Sequence, residues 1–201
     1  MPQIQKETVR NEIKHTALTL FATQGYEQTS MVNIAKAAGF SVGNVYRYFK
    51  SKQDILEELV PKEFMNELTK QLFTKIDTGK GITISEQMKD KEYIENSAQF
   101  IKTIVANRLQ ILVAFRCRKN EQGVAFKEEV IASLVQFFLQ QFVPENQRES
   151  LVATVELLYR GLANLYMEIL TEEHTEEEYI TQLKRVTEYH VAGLATLIET
   201  K

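Results

Sequence analysis

Apolar residues recur at intervals of three and four along most of this 201-residue chain, a spacing that puts them on one face of an α-helix. The first segment is typical, because Val9, Ile13, Ala17 and Phe21 form one stripe between about residues 7 and 23. Alternation of apolar and polar residues, which predicts half-buried strands, is nearly absent. We therefore predict an all-α fold.

Serines mark the starts of two short helices. Ser30 can accept hydrogen bonds from the free amides of a helix over residues 31–37, and Ser41 can do the same for residues 42–49. Asn33 stands where a Glu or Gln would complete a capping box, and we expect it to be a poor substitute. The pattern predicts two short helices with a turn between them.

The remainder of the chain predicts longer helices. Ser51 begins a fourth helix that continues toward residue 75, and Pro61 is expected to kink or split it. The segment 77–85 carries two glycines and is the clearest loop. Further helical patterns cover about residues 86–107, 109–119, 125–142, 148–171 and 176–198.

Cysteine and histidine content limits the chemistry. Cys117 is the single cysteine, which excludes an intrachain disulfide and fits a reducing compartment. Two arginines flank it and could make its thiol a redox sensor, whereas isolated cysteines are more often buried and inert; both readings stay open. His15, His174 and His190 have no metal-ligand spacing. We predict no metal and no cofactor.

Enzyme and membrane classes are disfavoured. The chain has no glycine-rich phosphate loop and no His-Glu-x-x-His helix, so we predict no enzyme activity and no catalytic residue. Its N-terminus lacks the apolar run of a secretory signal. The longest apolar stretches, such as 111–115 and 135–139, are far shorter than the roughly 20 residues that cross a bilayer. We expect a cytoplasmic protein without a membrane partner.

Charge is unevenly distributed between the two ends. Residues 1–54 contain seven basic and four acidic residues, while residues 55–201 contain 17 basic and 23 acidic ones. A mildly basic head on an acidic body is expected where only the head meets nucleic-acid phosphates.

Residues 25–56 carry the most informative motif. Small apolar side chains on its first helix match apolar residues of the turn and second helix: Ile34, Ala35 and Ala38 against Phe40, Val45 and Phe49. Small residues let two helices cross closely, as a helix-turn-helix requires. The other face of the second helix would then be free to enter a DNA major groove.

That face supplies the candidate DNA-binding residues. Asn44 and Arg47 can reach base edges or phosphates, Gly43 permits close backbone approach, and Val42 could touch a thymine methyl. Tyr48 lies on the same face, although it could equally be a core aromatic. Residues placed for phosphate contact are Thr29, Ser30, Ser41, Tyr46, Lys50 and Lys52; Tyr46 could also be core, and Lys50 could be merely solvated.

The motif resembles the DNA-binding region of the tetracycline-repressor (TetR) family. The matching positions are Gly25-Tyr26, Thr29-Ser30, Ile34-Ala35, Ala38-Gly39-Phe40-Ser41, Gly43, Val45-Tyr46, Tyr48-Phe49 and Lys52. Two positions depart from the family pattern: Phe40 replaces the usual Val or Ile, and Val42 occupies a position that is often polar or basic. The resemblance covers about a quarter of the chain.

The resemblance implies a helix-turn-helix DNA-binding domain over residues 1–52 and a helical effector-binding and dimerisation domain over residues 53–201. It implies a ligand-responsive repressor that binds a palindromic double-stranded operator as a homodimer and responds to an unknown small-molecule effector. The alternative is a helical module that binds a ligand or a protein partner without reading an operator.

In such a dimer the last two helices of each subunit pair. Apolar stripes compatible with pairing are Leu151, Val155, Leu158, Leu162, Leu165 and Ile169 on the penultimate helix, and Ile180, Leu183, Val186, Val191, Leu194, Leu197 and Ile198 on the last. Stripes of this kind also serve intrachain packing, so both uses stay open.

Effector-binding residues cannot be named from the sequence. Aromatic residues of the middle helices could line a pocket or form ordinary core: Phe100, Phe115, Phe126, Phe137, Phe138, Phe142, Tyr159 and Tyr166. Possible anchors for an acidic or carbonyl ligand are Asn107, Arg108, Arg116, Arg118 and Arg160, although solvated helix faces also carry such residues.

Overall fold

A computed structural model of the chain describes residues 3–117 and 121–199. Throughout these two ranges the regular secondary structure is α-helical, which confirms the predicted all-α class. The helices are α1 (Gln3–Thr23), α2 (Met31–Ala37), α3 (Val42–Tyr46), α4 (Lys52–Leu59), α5 (Lys62–Thr78), α6 (Ile84–Gln87), α7 (Lys91–Ala106), α8 (Arg108–Arg116), α9 (Glu121–Phe142), α10 (Glu145–Thr171) and α11 (Glu176–Glu199).

Three serines begin helices as predicted. Ser30, Ser41 and Ser51 each have extended backbone, and each hydroxyl accepts a hydrogen bond from the amide three residues later. The expectation for Asn33 was wrong, because its Oδ1 accepts from the Ser30 amide at 2.9 Å and completes the capping box. An Asn side chain is long enough here because the two residues are already brought together by the first turn of α2.

Helix ends differ from the sequence pattern at several places, among them residues 88–90, which interrupt the predicted helix 86–107. Pro61 splits the predicted fourth helix, because a proline has no amide proton and its ring clashes with the preceding turn. α3 ends at Tyr46 rather than residue 49. Beyond it, the amides of Arg47 and Tyr48 each donate to the carbonyl three residues earlier, as in a 3₁₀ turn. The predicted loop 77–85 is interrupted by the start of α6. The end of the predicted helix 109–119 lies outside the described residues.

The chain forms two compact units. The first comprises residues 1–65 and 109–124, and the second comprises residues 66–108 and 125–201. Helices α5, α8 and α9 contribute residues to both units. The boundary predicted at residue 52 concerns which residues bind DNA, so the division into compact units does not test it and it remains a prediction.

In the first unit, α1 packs against α2 and α4, and α2 packs against α3. Fully buried apolar residues from all four helices form its core, among them Ile13, Ala17, Ile34, Val45 and Ile55. Burial of a Val or Ile side chain stabilises a fold by about 1.5–3 kcal/mol.

Arg10 ties α1 to the segments that flank α3. Its Nη1 donates to the Tyr48 carbonyl at 3.1 Å, and its Nη2 forms an ion pair with Glu58. Its guanidinium lies 4.5 Å from the centre of the Phe49 ring. These contacts fix the C-terminal end of α3 relative to α1 and α4.

In the second unit, α10 packs along α11, and α6 and α7 also contact α11. One apolar cluster joins α6, α9, α10 and α11 through Ile84, Phe138, Val143, Val155 and Leu194. Part of each predicted apolar stripe is therefore used inside the chain itself, since Val155, Leu183 and Leu194 belong to its core.

Candidate nucleic-acid interface

The turn between α2 and α3 sets the position of the predicted recognition helix. Gly39 has a φ of 73°, in the left-handed region that side-chain-bearing residues rarely adopt. Immediately after it, the Phe40 amide donates to the Ala35 carbonyl at 2.9 Å. The chain thus reverses tightly, and Ser41 then begins α3.

α3 has a buried side and an open side. Val45 and, just beyond the helix, Phe49 are 0% and 2% exposed and anchor it to the core. The open side carries Gly43, Tyr46 and Arg47. This is the division of faces that a helix entering a groove requires.

Half-buried residues border this open side. Val42, Asn44 and Tyr48 are each partly covered. The Asn44 backbone amide donates to the Ser41 hydroxyl at 3.2 Å, while no hydrogen bond engages the Asn44 side chain within the described residues. Its carboxamide therefore keeps both a donor and an acceptor for an outside partner.

Gly43 faces open space. A Cβ built on this residue would meet no heavy atom within 4 Å. The first unit itself does not require a glycine there, because the backbone is helical and the space is empty. A Cβ at this position would therefore contact only a molecule that docks on α3.

Exposed cationic and aromatic groups follow on the same stretch. Tyr46 is 51% exposed, and Arg47 and Lys50 are also exposed. Within the two described ranges neither Arg47 nor Lys50 forms an ion pair. Both cations remain available for phosphates, which attract such groups strongly.

Thr29 and Ser30, predicted to contact phosphates, have structural roles. Thr29 is 2% exposed and its hydroxyl donates to the Gly25 carbonyl at 2.9 Å. Ser30 is exposed, and its hydroxyl is the N-cap of α2. Ser41 is likewise exposed and caps α3.

Lys52, also predicted to contact a phosphate, points into the first unit. Its Nζ donates to the Thr29 carbonyl at 2.7 Å and to the Tyr26 carbonyl, and it lies 4.1 Å from the centre of the Tyr26 ring. Two carbonyl oxygens and an aromatic face together solvate the ammonium group.

The N-terminal end of α4 is already occupied by a carboxylate. Asp54 accepts from the Ser51 hydroxyl at 2.5 Å and from the Lys50 amide at 3.0 Å. The Ser51 hydrogen bond is the largest cause that lowers the pKa of Asp54. An ionised Asp54 favours the positive end of the helix dipole and leaves less room there for a phosphate.

Comparison with known proteins shows which family this motif is similar to. The family model described as "Bacterial regulatory proteins, tetR family" matches residues 13–59. The transcriptional regulator AcrR of Shigella flexneri is 42% identical over 55 residues, which is 27% of this chain and 26% of that protein. The transcriptional repressor KstR2 of Mycolicibacterium smegmatis is 36% identical over 62 residues, 31% of this chain and 30% of that protein.

Two matches extend over most of the chain. The fatty acid metabolism regulator protein of Bacillus subtilis is 25% identical over 191 aligned positions, covering 80% of this chain and 98% of that protein. The crystal structure of a TetR-family transcriptional regulator from Bordetella parapertussis 12822 has a TM-score of 0.65 at 20% identity, covering 92% of this chain and 94% of that one. The shared fold thus continues beyond the DNA-binding motif.

Residues 13–59 thus carry the N-terminal domain of the tetR family of bacterial regulatory proteins.

The first two curated relatives match this chain over only about a quarter to a third of their own lengths. The most similar part is the helix-turn-helix described above. The sequence pattern predicted that motif correctly. It did not predict the internal partners of Lys52, because these depend on how α4 packs against the loop after α1.

Several groups suggested as ligand anchors have intrachain partners. Arg108 donates to the Leu170 carbonyl at 3.0 Å, and Arg160 pairs with Glu128 and Glu156. The Asn107 carboxamide donates to the Thr103 carbonyl at 2.8 Å. Arg116 is exposed, and Arg118 lies outside the described residues.

Other chemistries find little support in the described part of the chain. No group of three His, Cys, Asp or Glu residues there could hold a metal ion. No described helix combines the length and apolar character needed to span a membrane. The Cys117 thiol is buried, at 4% exposed.

Proposed function

We propose that this chain is a cytoplasmic transcriptional regulator that binds a palindromic DNA operator as a homodimer and releases it when a small-molecule effector binds. The observation that carries the proposal is the open face of α3. There an exposed Arg47, a half-buried Asn44 and an unobstructed Gly43 lie on the family's DNA-binding motif.

Each of these residues has a distinct use in the major groove. Asn44 offers a donor and an acceptor, the pattern that recognises adenine, and Arg47 can pair with guanine or a phosphate. Gly43 allows the helix backbone to approach the DNA. Tyr46 and Lys50 are exposed next to this face and suit phosphate contact, which fixes register without reading sequence.

Exposed apolar residues on the last two helices favour a dimer. Leu157, Leu158 and Leu165 are 70%, 37% and 45% exposed, and their spacing puts them on one side of α10. Tyr189 on α11 is 80% exposed. Apolar side chains that protrude together mark interaction surfaces, and a second copy of the same helices would cover them.

Regulation requires two states of the dimer. A twofold dimer that reads two successive major grooves holds its α3 helices about 34–36 Å apart or at a multiple of that repeat. An effector releases DNA if it binds more tightly to a state with another separation. KstR2, one of the relatives, is named a repressor, and we propose that this chain also represses transcription.

Selection of bound duplexes from a random DNA pool, at near-physiological salt, tests the proposal. We expect a recovered palindrome whose enrichment is lost in the double variant N44A/R47A. The matched control is Lys184→Ala, which removes an exposed charge from α11 and should leave selection unchanged. A folded, dimeric protein that enriches no sequence would refute operator recognition and support the alternative of a ligand- or protein-binding module.

A further inference from the structure

A lysine without a counter-ion lies inside the second unit. Lys75 is on α5, and burial lowers the pKa of its ammonium group to about 8. Within the described residues no carboxylate is in ion-pair distance of its Nζ. The nearest recorded partner is the ring of Tyr93, whose centre is 5.8 Å away. A pKa near 8 still leaves the group charged at neutral pH, so it is an unpaired interior cation, which is costly unless something pairs with it.

Aromatic and polar side chains from three other helices face the same region. Tyr93 comes from α7, Tyr159 and Tyr166 from α10, and His190 from α11. The His190 ring lies 4.8 Å from the Tyr159 ring, centre to centre. The Tyr166 hydroxyl is 2.6 Å from a threonine hydroxyl on α11. Gln71 lies one turn before Lys75 on the same side of α5. With it, these groups form what we call the Lys75 cluster: Gln71, Lys75, Tyr93, Tyr159, Tyr166 and His190.

The pKa values of these groups reflect their burial and their proximity. Burial raises the pKa of Tyr166 to about 12, and Tyr93 adds to this shift. Burial, and then the charge of Lys75, lowers the pKa of His190 to about 4. His190 and the tyrosines are therefore neutral at pH 7, and Lys75 supplies the one positive charge of the cluster.

Two buried atoms of the cluster lack a hydrogen-bond partner within the described residues. They are Oε1 of Gln71 and Nε2 of His190. Buried polar atoms are paired in the great majority of cases, so an orphaned imidazole nitrogen beside an unpaired cation indicates a place for an outside molecule. His190 Nε2 can donate to that molecule in one tautomer, whereas Gln71 Oε1 is an acceptor and the Gln71 amide nitrogen donates to Glu67 Oε1 at 3.1 Å. The residues of the cluster are also half-buried rather than sealed, which suits side chains that border a binding site.

We propose that the Lys75 cluster binds the effector, and that this effector is a small organic monoanion, a carboxylate on an apolar body. The carboxylate pairs with Lys75 Nζ and accepts from neighbouring neutral donors, while the apolar body packs against the rings of Tyr93, Tyr159 and Tyr166. The consequence for DNA rests on the proposed function above; the binding site itself does not.

Charge and geometry favour this class over others. One cation balances one negative charge, whereas a phosphate dianion would leave charge uncompensated in the interior. Two arginines suggested as anchors by the sequence are already engaged elsewhere, Arg108 with backbone carbonyls and Arg160 with glutamates. Flat or chain-like apolar groups pack well against tyrosine rings, which favours an apolar body.

The test compares each acid with its uncharged amide on the full-length chain. Isothermal titration calorimetry is run with benzoate, 2-naphthoate and decanoate, and with the three corresponding carboxamides. A charged hydrogen-bonded pair in a half-buried site should make at least one carboxylate bind about tenfold or more tightly than its amide. In Lys75→Met, whose side chain is apolar and similar in length, the preference should disappear. In the matched control Lys70→Met, on the exposed side of α5, it should remain.

Two results would overturn the proposal: no carboxylate of the panel binds better than its amide, or Lys75→Met keeps the preference. The first comparison uses the unaltered protein, so it decides the question even if a variant folds poorly. Operator binding is measured separately. A chain that binds a carboxylate through Lys75 but selects no DNA refutes the proposed regulator and leaves the site standing, while the reverse result refutes only the site.

Discussion

The Lys52 ammonium lies 4.1 Å from the centre of the Tyr26 ring, at the point where the loop after α1 meets the start of α4. The same ammonium donates to the carbonyls of Tyr26 and Thr29. The Tyr26 hydroxyl in turn donates to Gln53 Oε1 at 3.0 Å. These contacts hold the loop that leads into α2, and hence the helix-turn-helix, against α4.

Lys52→Met should therefore act mainly on stability. Loss of charged hydrogen bonds and of the cation–π contact should lower the free energy of unfolding by about 1–3 kcal/mol. Lys50→Ala, which removes an exposed ammonium, should leave stability nearly unchanged and reduce the slope of log affinity against log salt by about 1. Chemical denaturation and operator binding at several salt concentrations measure the two effects.

The opposite result would support the phosphate contact that the sequence predicts for Lys52. If Lys52→Met unfolds like the parent protein but loses one unit of salt slope, its ammonium contacts a phosphate and the internal hydrogen bonds give way on binding.

Gly43→Ala should separate folding from DNA binding. An added methyl group meets nothing within 4 Å, and alanine favours the helical backbone, so the free energy of unfolding should rise by about 0.5–1 kcal/mol. The same methyl group lies on the open face of α3, where DNA would approach. We expect operator affinity to fall by about tenfold or more, a loss of one good contact. Equal affinity in parent and variant would show that the α3 backbone stays clear of the groove.

Local signals predicted much of this molecule. Periodicity placed the helices, and Ser30, Ser41 and Ser51 placed three of their starts, because both signals depend on neighbours in sequence. The partners of Lys52 and the isolation of Lys75 depend on helices that are distant in sequence. The sequence pattern around Lys75 gives no sign that its ammonium group is enclosed, since lysines usually extend to solvent.

Leu157→Glu should prevent dimer formation without unfolding the subunit. Leu157 is 70% exposed, so a charge there costs the isolated chain little, but it would be desolvated in a paired α10 surface. We expect the dimer dissociation constant to rise by at least tenfold and operator affinity to fall with it. Light scattering during gel filtration measures the mass.

Met88→Glu introduces the same charge at a 51% exposed residue that begins the turn after α6 and should leave the dimer intact. A dimeric Leu157→Glu protein would exclude this face of α10 from the interface.

Acid should destabilise the chain through His190. Its pKa in the folded protein is about 4, below the ordinary value of 6.5, because burial and the Lys75 charge disfavour the protonated ring. As pH falls below 6.5 the unfolded chain binds a proton that the folded chain does not, so this contribution to stability is complete above pH 6.5 and is lost toward pH 4. The loss between pH 7.5 and 5 should be roughly 2 kcal/mol. Carboxylates titrate in the same acid range, so the informative quantity is the difference between urea unfolding profiles of parent and variant. His190→Gln should remove this component, while His15→Gln, at an exposed residue of α1, should keep it. Parallel profiles for the parent and His190→Gln would mean that the ring is protonated as readily in the folded state as in water, and that Lys75 does not face it.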